Sequence, residues 1–293
     1  MAKWQPHCVL CIIAILAAAP APADQGSDPA PLADEQRTKM YFLPAGDIFK
    51  PLIIDIKMPR FFVGFRQYGY QDTSFTIAAV GVGEVFGLYR SADIDAGSAW
   101  QISIGGGLQA QFNLDASSKD LINADYFVSV PVTYRHDAMS CRILLYHQSS
   151  HLGDEYLLHS SPTRMEFSYE ALNAVQSYEW REWRGYYGGE VILRKEPHTL
   201  KTLSVQGGIE YHGTVTAWGR GVPVAGLDMK STEEHDWAIN TSIAAGLEFR
   251  GSPDRDRYIR VVLEYYHGHN PHGQFYTDGT RIQFYGVGFY LGY

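Results

Sequence analysis

The chain has 293 residues, of which 24 are basic and 32 acidic, for a formal net charge of −8 at pH 7. This acidic balance argues against nucleic acid as a partner, because phosphate backbones are bound by clustered Lys and Arg. A chain of this length buries an adequate core in water, so size alone does not indicate a membrane.

The first 23 residues are typical of a secretory signal peptide. Lys3 precedes an apolar run over 9–19, and Ala21-Pro22-Ala23 offers a small-residue cleavage site. The apolar run is too short for a helix that crosses ~30 Å of hydrocarbon. We therefore expect cleavage after Ala23, which leaves Cys141 as the one cysteine and excludes a disulfide framework.

Two segments separate the signal from the main body of the chain. Residues 24–40 begin rich in Pro, Ala and Asp, a composition that favours a disordered lead-in. Residues 41–59 carry apolar anchors between prolines, and we expect them to lie at the periplasmic rim of a barrel or to enter its mouth. Residues 60–293 then form the barrel.

Alternation of apolar and small or polar residues predicts an all-β, antiparallel transmembrane β-barrel of about twelve strands. The last residues, RIQFYGVGFYLGY, have the apolar face and terminal aromatic expected of a closing strand. The predicted strands are 60–68, 75–90, 99–114, 124–135, 139–149, 164–172, 174–181, 185–196, 200–212, 236–250, 258–269 and 280–293.

The connections between these strands support a membrane barrel, which has short periplasmic turns and longer outer loops. If the first strand runs outward, the periplasmic turns are short, at 91–98, 136–138, 173, 196–199 and 251–257. The outer set then includes 115–123, 150–163 and the long 213–235. A soluble sandwich or barrel has no reason to show this asymmetry.

The most chemically suggestive residues begin at the outer end of the fifth predicted strand. His147 and Ser149 are two positions apart, so their side chains leave the same face of a strand. An imidazole that takes the proton of a serine, oriented by a third polar group, is the minimum for acyl transfer. Asp154, Glu155 and Glu166 are the candidate orienting groups.

Two other interpretations of this segment remain open. His, Ser, Asp and Glu at a barrel rim often hydrogen-bond one another only to anchor a loop. Alternatively, His147, His151, Asp154 or Glu155 could bind a metal. We expect no required cofactor, although a calcium ion held by Asp154 and Glu155 could assist hydrolysis.

The face on which the pair lies decides its substrate, and the pattern gives conflicting indications. Ile143 and Leu145 share the parity of His147 and Ser149, which favours a lipid-facing pair. On the next predicted strand the charged parity, including Glu166 and Glu170, is expected to face the lumen. A lipid-facing His147 would then depend on the loop carboxylates.

Two further features point to other roles. His267, His269 and His272 are close enough in sequence to bind zinc, although turns and an aromatic girdle explain the same residues. Basic side chains on predicted outer connections could hold lipopolysaccharide phosphates; they are Arg181, Arg184, Arg220 and Lys230.

The main alternative to an enzyme is a non-enzymatic pore. Inward-pointing glutamates would make its lumen acidic and select cations; they are Glu166, Glu170, Glu190, Glu210, Glu248 and Glu264. A third alternative is a surface-interaction barrel that uses the 213–235 loop, with Trp218 and Arg220.

Three segments resemble a family of bacterial outer-membrane barrels of unknown function: FKPLIIDIKMPRF (49–61), HQSSHLGDE (147–155) and GHNPHGQF (268–275). The resemblance implies the barrel fold and no activity. His147-Gln148-Ser149 separately resembles the His-x-Ser of outer-membrane phospholipase A and lipid A deacylases.

The chain departs from those enzymes at two points. Phospholipase A has Asn-Gly after its serine, where this chain has Ser150-His151, and the orienting Asn or Glu expected 14 positions after the histidine is here Ser161. The favoured hypothesis is still a lipid acyl-ester hydrolase of the outer membrane. Ser150, His151 and Arg164 are its candidate substrate-binding residues, and its expected partners are outer-membrane lipids and the barrel-insertion machinery.

Overall fold

Thirteen strands form a single sheet in the computed structural model, which describes residues 38–70, 73–160, 162, 165–214, 216, 221–251 and 257–292. The strands are β1 Thr38–Phe42, β2 Phe61–Tyr70, β3 Thr73–Asp93, β4 Ser98–Asn113, β5 Leu121–His136, β6 Met139–Leu152, β7 Phe167–Trp180, β8 Trp183–Glu196, β9 Leu203–His212, β10 Gly221–Thr232, β11 Ile239–Arg250, β12 Tyr258–His269 and β13 Arg281–Gly292. One α-helix, α1 Asp154–Ser160, and two 3-10 helices, Glu233–His235 and Gly273–Phe275, lie between strands.

The sheet closes into a barrel of twelve antiparallel strands, β2 to β13. Strand β2 pairs with both β13 and β3, and β3 pairs with β4, so the ring has no gap. Closure satisfies the edge N–H and C=O groups that an open sheet would expose to lipid. The predicted fold class and strand number are confirmed.

The predicted number of strands is right because two errors offset each other: one strand was divided in two and another was missed. Residues 164–172 and 174–181 are not separate strands, because β7 runs unbroken through Asn173, which turns its amide into the interior. The supposed loop 213–235 contains β10, whose Pro223 and Gly226 resemble turn residues in sequence. We call the rim where β2 begins and β13 ends the inner rim, and the opposite one the outer rim. Between β7 and β10 the connections therefore exchange rims. Residues 181–182, the end of β9 and the start of β10 lie at the inner rim, and residues 197–202 lie at the outer rim.

Residues 43–60 fold into the barrel interior. Phe49, Leu52 and Ile53 are almost fully buried, and each such side chain stabilises the fold by about 1.5–3 kcal/mol. Inward-facing glycines make room for this segment, since a Cβ on Gly83 would lie 2.9 Å from the Arg60 nitrogen. We call residues 43–60 the interior segment.

Polar contacts hold the interior segment at several depths. The Arg184 guanidinium donates to the Lys50 carbonyl at 2.8 Å, and Glu210 accepts from the Ile53 N–H. Further toward the outer rim, the Lys57 ammonium lies 3.2 Å from the Tyr169 hydroxyl. The segment therefore fills the barrel well beyond its inner mouth.

The N-terminal predictions fall mostly outside the described residues. The signal peptide and most of the disordered lead-in, 24–40, belong to that part. Residues 38–40 differ from the prediction, because they belong to β1, which pairs with the inner end of β3 from Thr38–Asp93 to Phe42–Tyr89. Among the residues described, no helix has the length and apolar character needed to cross a membrane.

Candidate functional site on the outer face of strands β6 and β7

The outward face of β6 changes from apolar to polar near the outer rim. Ile143 and Leu145 are exposed on this face, and His147, Ser149 and His151 follow at two-residue intervals. The intervening side chains, from Arg142 to Ser150, turn into the barrel because strand residues alternate. His147 and Ser149 therefore share the outward, lipid-side face.

The neighbouring strand supplies a carboxylate to the imidazole. Glu170 on β7 is the register partner of His147, and its Oε1 lies 3.0 Å from His147 Nδ1. Both side chains are partly exposed, 45% for His147 and 37% for Glu170. This contact leaves His147 Nε2 as the ring nitrogen available to a nucleophile or substrate.

Ser149 lies one outward-facing position closer to the outer rim. Its register partners are Tyr126 on β5 and Ser168 on β7. Within the described residues, its hydroxyl is not hydrogen-bonded to His147. A general base must come within about 2.6–3.2 Å of the proton it takes, so rotation of the two side chains has to close this distance during a reaction.

The position of Glu170 corrects the orientation expected for the sixth predicted strand, 164–172. Its carboxylate points outward, because its neighbours at alternate positions, Tyr169 and Ala171, face inward and are buried. If the charged parity faced the lumen as predicted, the alternate aromatic side chains would face lipid. Here they instead pack against the interior segment and the outer loops inside the barrel.

The predicted orienting residues are not brought to His147. Asp154 and Glu155 lie exposed in the first turn of α1, and Glu166 lies exposed just before β7. In the described part of the chain, none of the three is hydrogen-bonded to the His147 ring. In the sequence, Glu170 could be found only from its two-residue spacing from Ser168, which puts both side chains on the same face of β7. That spacing identifies Glu170 as the partner of His147 only once the pairing of β6 with β7 is known.

The predicted substrate-binding residues are separated. Ser150 faces the interior, where its hydroxyl donates to Asp125 and accepts the Gln274 N–H at 3.1 Å, so it is not beside Ser149 on the outer face. His151 faces outward and packs edge-on against Tyr126 at 5.7 Å. Arg164 lies outside the described residues.

The loop histidines are also separated rather than gathered. His267 faces outward, His269 stacks on His235 at 3.7 Å, and His272 is buried beside Asp125 and Tyr68. Among the described residues, no group of three or more His, Cys, Asp or Glu side chains is arranged to hold a metal ion. The described structure therefore does not bring these three imidazoles into one site.

The basic residues expected on outer connections lie elsewhere where the structure describes them. Arg181 lies in the inner turn and Arg184 is buried against Glu210, so neither belongs to an outer loop. Lys230 lies inside, 3.8 Å from Glu190, and Arg220 and Trp218 fall outside the described residues.

The interior is not an acidic channel. Glu210, Glu248 and Glu264 are each paired with a buried arginine, namely Arg184, Arg260 and Arg66. Glu166 and Glu170 do not face the lumen. With the interior segment in place, an interior cavity lined by Lys57, Asp228 and His269 has a volume of about 50 Å³, enough for only a few water molecules.

A closed ring of twelve antiparallel strands with an apolar outer surface defines a β-barrel of the outer-membrane type. The chain itself belongs to the family described as "Protein of unknown function (DUF1207)", whose model matches residues 18–293. A search among curated proteins found no match.

Two solved structures share the fold. Outer membrane phospholipase A from Escherichia coli superposes with a TM-score of 0.52 at 10% identity, covering 83% of this chain and 95% of that one. The Salmonella typhi outer membrane phospholipase dimer with bound calcium gives 0.52 at 11% identity, with 78% and 90% covered. At such identity the likeness establishes the barrel architecture alone.

Proposed function

We propose that the protein is an acyl-ester hydrolase of the outer membrane that acts on lipids at the outward face of β6 and β7. The observation that carries this proposal is the His147 Nδ1 to Glu170 Oε1 contact of 3.0 Å on the lipid-side face, with Ser149 two residues further along the strand. This is the base-and-orienter arrangement that activates a serine, and the apolar surface around it suits an acyl chain.

The chemistry follows from these three side chains. Ser149 Oγ attacks the ester carbonyl carbon while its proton passes to His147 Nε2, and the Glu170 carboxylate stabilises the imidazolium that forms. The same proton is then given to the leaving alkoxide oxygen, which departs as an alcohol. A water molecule repeats the sequence on the acyl-serine and releases a fatty acid.

The position of the site supports this function over loop anchoring. The side chains that hold residues 273 and 274, Ser150 and Asp125, face the interior. His147, Ser149 and Glu170 instead face outward, where polar groups carry a solvation cost at membrane depth that falls toward the interface. A functional role explains why such groups occupy this face.

The pore alternative is disfavoured by the filled interior, and we propose that the barrel serves as a scaffold for the outer-face site. Outer-membrane lipids are the proposed partners. The hydrolysis as written requires no bound metal. Calcium and a chelator are nevertheless compared in the assay below, since Asp154 and Glu155 at the outer rim are hard-cation ligands.

The test compares Ser149→Ala with Ser168→Ala in purified, detergent-solubilised protein. Ser168 is the cross-strand neighbour of Ser149 on the same face, so the two variants remove the same hydroxyl one strand apart. We expect Ser149→Ala to lower fatty acid release by about 10³-fold or more and Ser168→Ala to retain wild-type turnover within about twofold. Equal rates for Ser149→Ala and wild type, or no release by wild type with or without calcium, would disprove the proposed function.

A further inference from the structure

An irregularity between β7 and β8 places an arginine beside the candidate site. Glu170 pairs with Arg194 whereas Ala171 pairs with Ile192, so Leu193 is an extra residue in β8. Regular alternation after the exposed Leu193 would turn Arg194 into the barrel. Because of the extra residue, Leu193 and Arg194 are both exposed, and Arg194 lies on the same outward face as Glu170.

The other charged groups around Arg194 already have partners. Glu170 contacts His147, Glu196 lies 3.6 Å from His198, and the Lys195 ammonium donates to the Leu200 carbonyl. Over the described ranges of the chain, Arg194 makes neither a hydrogen bond nor an ion pair. An outward-facing guanidinium without a partner is costly in a barrel strand unless the interface provides an anion.

The distances suit a lipid that bridges this arginine and the serine. Neighbouring strands are about 4.8 Å apart, so the backbones of His147 and Arg194, two strands apart, are separated by about 10 Å. An arginine side chain covers more than half of that span. In a glycerophospholipid the ester carbonyl is only a few bonds from the phosphate, which is the anion that a guanidinium binds through paired hydrogen bonds.

We propose that Arg194 binds the phosphate of the lipid whose ester Ser149 attacks, so that the substrates are acyl lipids that carry a phosphate rather than neutral glycerides. This inference rests on the proposed hydrolase function. Arg194 then sets specificity, since it contacts the headgroup and not the reacting carbonyl.

The first experiment compares hydrolysis of phosphatidylglycerol and of diacylglycerol with the same acyl chains in neutral detergent. Arg194→Gln should lose about 10-fold or more in kcat/KM on phosphatidylglycerol, mainly through KM, and keep wild-type kcat/KM on diacylglycerol. The kcat/KM of Arg194→Lys on phosphatidylglycerol should lie between those of wild type and Arg194→Gln, because lysine keeps the charge without the bidentate geometry. Arg181→Gln, which removes an exposed arginine at the opposite rim, is the matched control and should behave as wild type.

Two outcomes of this experiment overturn the inference. An equal loss on both lipids means that Arg194 serves only the fold or the Glu170 carboxylate. An Arg194→Gln variant that keeps full activity on phosphatidylglycerol means that the guanidinium does not hold the phosphate.

A binding experiment separates this inference from the hydrolase itself. A dialkyl ether analogue of phosphatidylglycerol cannot be hydrolysed, and native mass spectrometry should detect its binding to wild type and a weaker adduct with Arg194→Gln. If wild type hydrolyses no ester but this difference persists, the hydrolase proposal fails and the phosphate site stands. Displacement of the ether lipid by equimolar inorganic phosphate would instead indicate a free-anion site and overturn the lipid assignment.

Discussion

The two faces of β6 and β7 differ in how firmly their polar groups are held. On the inward face, Tyr169 donates to Gln148 at 2.6 Å and Tyr146 donates to Glu190 at 2.8 Å, within a network packed against the interior segment. On the outward face, His147 and Glu170 share one hydrogen bond and are otherwise open. The inward network specifies the structure, whereas the outward pair is free to contact a ligand.

The largest expected effect concerns the outward face alone. His147→Asn removes the general base, and we expect turnover to fall by about 10³- to 10⁴-fold. Because the side chain is nearly half exposed, the free energy of unfolding should change by less than about 0.5 kcal/mol. Fatty acid release and urea unfolding in detergent measure the two quantities, and a loss of stability that accompanies the loss of activity would contradict the contrast between the faces.

The reverse pattern is expected for the inward face. Glu210→Ala leaves the buried Arg184 without its carboxylate and the Ile53 N–H without its acceptor. We expect a loss of about 3–5 kcal/mol in unfolding free energy, with hydrolysis by the folded fraction unchanged.

A matched inner-rim variant is the control for Glu210→Ala. Glu179 pairs with Lys50 and Arg135 in a partly exposed setting, so Glu179→Ala should cost only about 1 kcal/mol. Similar losses of unfolding free energy in Glu210→Ala and Glu179→Ala would show that the buried Glu210–Arg184 pair stabilises the fold no more than a partly exposed pair.

A smaller effect tests the orienting group. Glu170→Gln keeps a hydrogen-bond acceptor for His147 but removes the charge that stabilises the imidazolium, so we expect a drop in turnover of about 10- to 100-fold. Glu166→Gln, which alters the carboxylate favoured by sequence alone, should have no effect. The opposite ranking of these two variants would restore Glu166 as the orienting residue.

The last expected effect is a pH dependence at the outer end of the interior. Burial, with Arg66 and Lys57 adding positive charge nearby, lowers the pKa of the His272 ring to about 3. As the pH falls below about 6.5, the His272 ring binds a proton in the unfolded chain but not in the folded chain. The stability that neutral His272 contributes is therefore complete above that pH and is lost as the pH falls toward 3. The loss should amount to about 1.4 kcal/mol per pH unit.

His272→Gln isolates this contribution. The gap in unfolding free energy between wild type and the variant should narrow as the pH falls from 6.5 to 4.5, as measured by urea unfolding in detergent. A gap that is constant over this range would show that His272 is not held neutral by burial.

The barrel could be predicted from the sequence because the pattern that indicates it lies within each single strand. Two-residue alternation, as in 281–292, follows from one apolar face and needs no knowledge of neighbouring strands. The strands that were missed or divided, β10 and β7, contain Pro223 and Asn173, whose usual association with turns outweighed the pattern around them. Tertiary pairing overrides such local preferences.

The site was predictable only in part for a related reason. His147 and Ser149 lie on one strand, so their shared face could be inferred from spacing. Glu170 reaches His147 through the β6–β7 register, and that register depends on where β7 begins after the longest outer connection. The orientation of Glu170 also depended on knowing that aromatic side chains fill the barrel, which only the position of the interior segment explains.

The route of the interior segment has a consequence for assembly. It follows β1, which pairs with the inner end of β3, and it precedes β2, which begins at the inner rim, so both of its ends are tethered on the inner side of the barrel. A loop of this kind can enter or withdraw from a finished cylinder without passing an end of the chain through it. The barrel strands and the interior segment can therefore assemble in either order during biogenesis.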